Sequence, residues 1–267
     1  MSDNIPQIFN RKLLRDIYNK NSETIFHTDF LCDYAVSLLI EKLSQTKLQF
    51  SQILNLGLVS KQLQDFLNNK YVNSDIIYAH HSLNYLKQIC ANQKIVLDEE
   101  LIPISENNFD LIISVLNLHY INDLPGTLIQ IKRLLKDKGL FLAVFLGEET
   151  LRELRYACLE TDSKLGNASP KVPPFLDVKT TGLLLKRTNF HMPVVDNQKL
   201  TIEYHDINKL LQDIKDMGGA NILYQKSNSL MGKNRLNMIK NNYLKKFRNN
   251  SIIVANFELI NVTAFKN

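Results

Sequence analysis

Residues 95 to 125 read IVLDEELIPISENNFDLIISVLNLHYINDLP. Within them, Phe109 to Leu116 is apolar on both alternating faces except at Asp110 and Ser114, the pattern of a central parallel strand covered on both sides. Asn122 and Asp123 can each cap a helix, Pro125 suits a first turn, and Leu128, Ile131, Leu134 and Leu135 follow at helical spacing. The spacing predicts a helix closed by Gly139 and, directly after it, a buried strand over Leu140 to Leu146. Strand, crossover helix and parallel strand make a unit that is almost always right-handed.

Toward the N-terminus the same rhythm repeats. Helical spacing over 10 to 20 and 29 to 44 predicts lead-in helices, the second with Phe30, Leu31, Tyr34, Leu38, Leu39 and Leu43 on one stripe. Short strands over Gln52 to Leu56, Asp75 to Ala79 and Lys94 to Leu97 alternate with helices over Gln62 to Leu67 and Leu83 to Cys90. Toward the C-terminus come a helix over Glu148 to Glu160, the loop GNASPKVPPF, and a helix over Asp177 to Thr188 stopped by Asn189. Val194, Val195 and Leu200 to Tyr204 predict a strand with a break, and Ile207 to Met217 a helix ended by Gly218 and Gly219. A basic helix follows, and Ser251 to Thr263 is expected to pair antiparallel with its predecessor strand at the sheet edge. The pattern is that of an α/β fold.

With 267 residues, 45% of them hydrophobic, the chain can build one substantial core. The expected division is N-terminal helices over 1–48 and a main domain over 49–267 with a helical insertion at about 205–248. No apolar run approaches the roughly 20 residues that cross a bilayer, and the start MSDNIPQIFNRKLL lacks a secretory segment, so a cytoplasmic protein is expected. Cys32, Cys90 and Cys158 lie far apart with no CxxC pair and read as reduced buried thiols. No metal site is expected: His80 and His81, adjacent at a strand end, should point to opposite sides. The net charge of +5 is uneven, with seven basic and no acidic residues from Lys226 to Arg248. Such a run reads as a solvated helix face, or more sharply as a docking face for an acidic partner or RNA; no DNA partner is expected. No GxSxG, HExxH or phosphate-loop motif points to a hydrolase or nucleotide triphosphate site.

Four separated segments, LDEELIPISENNFDLIISVLNLHYINDLPGTL, SPKVPPF, TNFHMPVVD and KLLQDIKDMGGAN, resemble in order the class I S-adenosylmethionine-dependent methyltransferases. Within that superfamily the resemblance is to the group holding the mitochondrial complex I assembly factor that hydroxylates an arginine and the malonyl-carrier-protein methyltransferases of biotin synthesis. It implies a Rossmann-like sheet, mostly parallel with an antiparallel C-terminal strand, N-terminal helices and a helical cap. It also implies S-adenosylmethionine as cofactor and a protein substrate, such as an NADH dehydrogenase subunit. By the same resemblance Gly57, His80, Asp98, Glu99, Leu116 and His119 fall on cofactor-lining positions, with Asp98 near the adenine amine. Arg11, Tyr18, Pro170 and Phe175 fall on segments expected to cover the pocket. Methyl transfer is mainly positioning of an activated sulfonium, so no catalytic residue is assigned.

Two positions depart from the family pattern. After the first strand, where an acidic residue and a Gly-x-Gly loop belong, the chain reads Asn55, Leu56, Gly57, Leu58, Val59, Ser60, Lys61. Glycines there permit positive φ and let the backbone approach the ligand; a branched side chain kept in that conformation costs roughly 1 to 3 kcal/mol. After the second strand, His80 stands where a carboxylate would grip both ribose hydroxyls, a loss of roughly 1.5 to 3 kcal/mol. Together the changes weaken binding by a factor of about 10² to 10⁴. Two readings follow: an S-adenosylmethionine-dependent methyltransferase-like protein that transfers the methyl group or modifies an arginine of an NADH dehydrogenase subunit, or a fold that has lost the cofactor and acts by binding a partner in respiratory-complex assembly.

Overall fold

The computed structural model of the chain describes residues 6–166, 170–225 and 232–267. Three helices lead in: α1 (Arg11–Lys20), α2 (Ser22–Thr28) and α3 (Phe30–Gln45). There follow β1 (Gln52–Gly57), α4 (Lys61–Lys70), β2 (Asp75–His80), α5 (Leu83–Gln88), β3 (Lys94–Val96), β4 (Phe109–Val115), a 3-10 turn (Leu118–Tyr120), α6 (Leu124–Leu134) and β5 (Leu135–Leu146). The second half holds α7 (Arg152–Leu165), α8 (Val178–Arg187), β6 (His191–Tyr204), α9 (Ile207–Asp216), α10 (Lys233–Phe247), β7 (Arg248–Asn249) and β8 (Ile252–Phe265).

The sheet runs β3-β2-β1-β4-β5-β8-β6, with β7 paired to β8. The five strands β3, β2, β1, β4 and β5 pair in parallel, and β8 is antiparallel to both β5 and β6. The predicted strand from 251 therefore lies inside the sheet, and β6 is the edge. Its polar stretch Asp196 to Lys199 is no break, because all of it pairs with β8; the irregularity lies instead between His191 and Val194. Charged residues on an edge strand discourage pairing with another chain.

Alternation along the strands makes two cores, one on each sheet face. Ile53, Leu111, Ile113, Leu142 and Val144 meet the first face, which α3, α4 and α5 cover with Leu39, Leu63 and Tyr85. Leu54, Ile112, Phe141, Ala143 and Phe145 meet the other, covered by Leu128 and Ile131 of α6 and Leu185 of α8. One core cluster joins Leu14, Tyr18 and Leu31 of the lead-in helices to residues of β1, β4 and β5.

Some elements differ from their sequence-based expectations. Helix α6 ends at Leu134, not at Gly139, because Leu135 pairs with Phe109 and opens β5 early. The helix α2, not foreseen, is anchored by buried Ile25. Asn189 does stop α8 with φ of 59°, and Gly218 ends α9 with φ of 76°. Cys90 is exposed, unlike buried Cys32 and Cys158. In the basic run, Arg235 pairs with Asp162, Lys240 donates to Asn208 and Lys246 lies 3.4 Å over the Tyr156 ring; Lys226 lies outside the described residues. Among the described residues no helix is long and apolar enough to cross a membrane, and no group of His, Cys, Asp and Glu could hold a metal ion.

Candidate functional site

Open α/β sheets hold ligands at the C-terminal ends of their strands. At the end of β1, Gly57 takes φ of 99°, and a Cβ there would meet the Val115 carbonyl at 2.5 Å and Asn117 Cβ at 2.6 Å. Only glycine fits this crossing of β1 and β4. The next residues turn inward: Leu58 and Val59 are buried in the core, the Leu58 N–H donates to the Val115 carbonyl at 2.9 Å, and the Asn55 side-chain amide donates to the Leu58 carbonyl at 3.2 Å. The Tyr85 hydroxyl donates to the Val59 carbonyl at 3.1 Å and accepts from its N–H at 3.2 Å. The two peptides that flank Val59 are thus pinned by one hydroxyl.

At the end of β2, His80 and His81 do not diverge. Their rings stack at 4.1 Å, because His81 already lies beyond the strand and its backbone no longer alternates. Tyr18 of α1 packs on both, and Tyr85 on His80, at centroid distances of 4.5 to 5.2 Å. His80 Nδ1 accepts from the Ser82 N–H at 3.0 Å. Burial, and next the neighbouring His81, hold the His80 imidazole well below its ordinary pKa, so it is neutral.

At the end of β3, three acidic residues surround the Arg11 guanidinium, whose side chain is 9% exposed. Arg11 donates to Asp98 Oδ1 from Nε at 3.2 Å and from Nη2 at 2.9 Å, and to the Tyr120 carbonyl at 3.2 Å. It also bonds Glu99, and Glu100 lies 3.8 Å away. Glu99 is fully buried and faces His81 Nδ1 at 3.3 Å. Burial alone would raise its pKa, but His81 and Arg11 outweigh that and hold the carboxyl well below the usual range.

At the end of β4, Leu116 has φ of 45° and Leu151, facing the same space, φ of 53°. Left-handed leucines cost roughly 1 to 2 kcal/mol each. Both border a cavity of about 90 Å³, with Leu58, His119, Tyr120 and Phe175 also in its wall. The His119 and Tyr120 rings lie 4.1 Å apart, tilted by 51°, and His119 meets the Phe175 ring edge-on at 5.3 Å; burial lowers the His119 pKa to about 3.

Of the positions singled out in the sequence, Leu116, His119, Tyr18 and Phe175 share this cavity. Gly57, His80, Asp98, Glu99 and Arg11 lie at the adjoining strand ends, outside its wall. Pro170 lies off the cavity, its carbonyl accepting from the Asn221 amide at 2.8 Å, and Ser169, the start of the same loop, lies outside the described residues. Sequence reasoning missed Tyr85 and Asp29. Asp29 borders the cavity and caps α3, accepting from the Cys32 N–H at 2.9 Å. An aspartate directly before an apolar helical stripe was the available signal.

The residues present do not fit S-adenosylmethionine. By the family resemblance the ligand's amino acid portion would lie along the loop after β1 and its ribose at the end of β2; Leu58 and Val59 are packed at the first, the His80 and His81 rings stack at the second, and Arg11 takes the β3 carboxylates. The cavity bordered by Leu58 and Leu116 is by itself well under the roughly 300 to 1,000 Å³ of small-molecule sites.

Residues 54–143 match the family model described as a methyltransferase domain. The chain is 30% identical over 268 residues to the mouse protein "Arginine-hydroxylase NDUFAF5, mitochondrial", covering 97% of this chain and 77% of that one. It spans less of the rat and human proteins of that name, 64% and 59%. A malonyl-[acyl-carrier protein] O-methyltransferase of Gallionella capsiferriformans is 27% identical over 272 residues, covering 97% of this chain and 92% of that one. Among solved structures, phosphoethanolamine N-methyltransferase 2 of Haemonchus contortus, with S-adenosylhomocysteine bound, superposes with a TM-score of 0.56 at 17% identity, covering 95% of this chain and 60% of that one. That likeness establishes the Rossmann-like methyltransferase fold. With 30% identity to the mouse protein over 97% of this chain and a methyltransferase domain over residues 54–143, the chain belongs to the NDUFAF5 family of methyltransferase-domain proteins.

Proposed function

We propose that this chain serves the assembly of a respiratory NADH dehydrogenase by binding a protein subunit, on a methyltransferase fold that no longer keeps S-adenosylmethionine as a resident cofactor. One observation carries the reading: Leu58, Val59, His80, His81 and Arg11 fill the strand ends where the cofactor would lie, and each is held there by hydrogen bonds, ring contacts or burial. Reopening that space means breaking the Arg11 ion pairs, and separating a buried pair costs about 3 to 5 kcal/mol. The partner class rests on the family resemblance.

A second reading is favoured by the β3 carboxylates, which by the family resemblance would fall near the adenine, and by the family of the mouse arginine hydroxylase. In it the protein uses S-adenosylmethionine and modifies an arginine of the same subunit. Asp98→Asn separates the two, because it keeps an acceptor for Arg11 while removing the charge. In cells lacking the protein, the binding reading expects that wild type and Asp98→Asn both co-purify an NADH dehydrogenase subunit and restore assembly. Failure of the wild type to retain any subunit contradicts it. A mass increase on an arginine of that subunit, present with wild type and lost with Asp98→Asn, establishes the second reading instead.

A further inference from the structure

On the sheet face that α4 and α5 cover, along the starting half of β2, lies an open groove of about 580 Å³. That is within the roughly 300 to 1,000 Å³ of small-molecule sites. Its floor is Ile76 and Tyr78, alternate residues of β2 that point to the same side. Tyr78 is 2% exposed, and its hydroxyl, wholly buried, has no hydrogen-bond partner. Burial raises its pKa to about 12, so it keeps a proton to donate. Buried polar groups are nearly always answered, and this one stands unanswered at the floor of a groove.

The rim carries Cys90, exposed and free, whereas Cys32 and Cys158 are buried. Both peptides that flank Cys90 are fixed by side chains: the Lys94 ammonium donates to the Ile89 carbonyl at 3.0 Å and the Gln64 amide to the Cys90 carbonyl at 3.3 Å. The thiol is thereby held at the mouth, where a reagent reaches it. Two opposite charges share the lining, and neither has an ion pair among the described residues. One is Lys94; the other is Asp75, whose carboxylate accepts from the Gln52 and Gln93 amides at 2.7 and 3.3 Å. The Asn68 and Asn92 amides also line the groove and make no hydrogen bond among the described residues. Such a lining complements peptide groups, a carboxylate and an ammonium, and it leaves an apolar ligand with unpaired polar neighbours.

We propose that Cys90 is a modification site: its thiol exchanges with the disulfide of a small peptide thiol bearing a carboxylate and an ammonium, and the groove holds the half that is transferred. In that step the Cys90 thiolate attacks one sulfur of the disulfide, a bond from Cys90 Sγ to that sulfur forms, and the original sulfur–sulfur bond breaks. The other half leaves as a thiolate and takes up the proton that Cys90 lost, so one disulfide is consumed and one is made. Lys94 meets the carboxylate, Asp75 the ammonium, and the Tyr78 hydroxyl donates from the floor. The site lies at the opposite end of β2 from His80 and His81 and is independent of both functional readings above.

The test is reaction of the full chain with oxidised glutathione and with neutral hydroxyethyl disulfide, followed by peptide mapping in a mass spectrometer. Each rate at Cys90 is divided by the rate of the same reagent with free N-acetylcysteine, which removes the reagents' own difference in reactivity. Oxidised glutathione is expected to add one glutathione at Cys90, with a normalised rate about tenfold above that of the neutral disulfide, the effect of one charge-assisted hydrogen bond. Lys94→Gln and Asp75→Asn are each expected to remove most of that preference while leaving the rate with the neutral disulfide unchanged, which also reports that they fold. Tyr78→Phe removes a hydroxyl that nothing in the free chain answers, so the fold is kept. It is expected to shift the equilibrium between the Cys90 adduct and reduced glutathione toward the free thiol by about threefold or more. Equal normalised rates, addition spread over Cys32 and Cys158, a preference undiminished in Lys94→Gln and Asp75→Asn, or an adduct no less stable in Tyr78→Phe overturns the proposal.

Discussion

At the residue scale, the contacts that close the strand ends are few and separable. Arg11 is the clearest: its partners Asp98 and Glu99 are 87 and 88 residues away, and Glu99 is wholly enclosed. Arg11→Ala leaves that carboxylate without its cation and is expected to lower unfolding free energy by about 3 to 5 kcal/mol in urea titration. A change under 1 kcal/mol would mean that the pair is solvated. Tyr85→Phe removes one hydroxyl that serves both the N–H and the carbonyl of Val59, with an expected loss of about 1 to 3 kcal/mol. Asp29 gives a pH signature. Burial raises its pKa from 3.8 to about 7, so the folded state binds the proton more tightly than the unfolded chain does. Its contribution to stability is full below about pH 4 and is lost as pH rises to about 7, amounting to at most about 4 kcal/mol. Wild type is therefore expected to lose stability relative to Asp29→Asn over that window. Parallel stability curves for the two would show that the carboxyl is not buried.

At the element scale, the loop after β1 decides whether the ancestral site is open. Gly57→Ala places a Cβ against the Val115 carbonyl at a positive φ, and is expected to cost roughly 2 to 6 kcal/mol in denaturant unfolding. An unchanged midpoint would mean that β1 and β4 do not cross this closely. The strands were legible because both faces of the parallel ones are covered, which leaves uninterrupted apolar runs such as Leu111 to Val115. The end of α6 was not, because Leu135 satisfies helical spacing and strand pairing equally well and only its partner Phe109 decides. The loss of the glycine loop was equally plain in LNLGLVSK. Its consequence was not: that Leu58 and Val59 face inward depends on Tyr85, on a helix contributed by another part of the chain. Likewise, the sequence placed Arg11 and Asp98 near one pocket, but no local pattern says that one neutralises the other.

At the scale of the whole molecule, the sheet carries a methyltransferase domain over residues 54–143, while the proposed reading has the chain itself packing the strand ends where the cofactor would lie. The cavity at the end of β4 is bordered by residues of the lead-in helices and of the segment around Phe175. On the proposed reading fold and activity have separated, since a sheet can keep its architecture after its strand ends change chemistry. The most direct measurement is calorimetric titration of the purified full-length protein with S-adenosylmethionine. The account predicts no saturable heat at millimolar ligand. A dissociation constant in the micromolar range, abolished by Asp98→Ala, would contradict it.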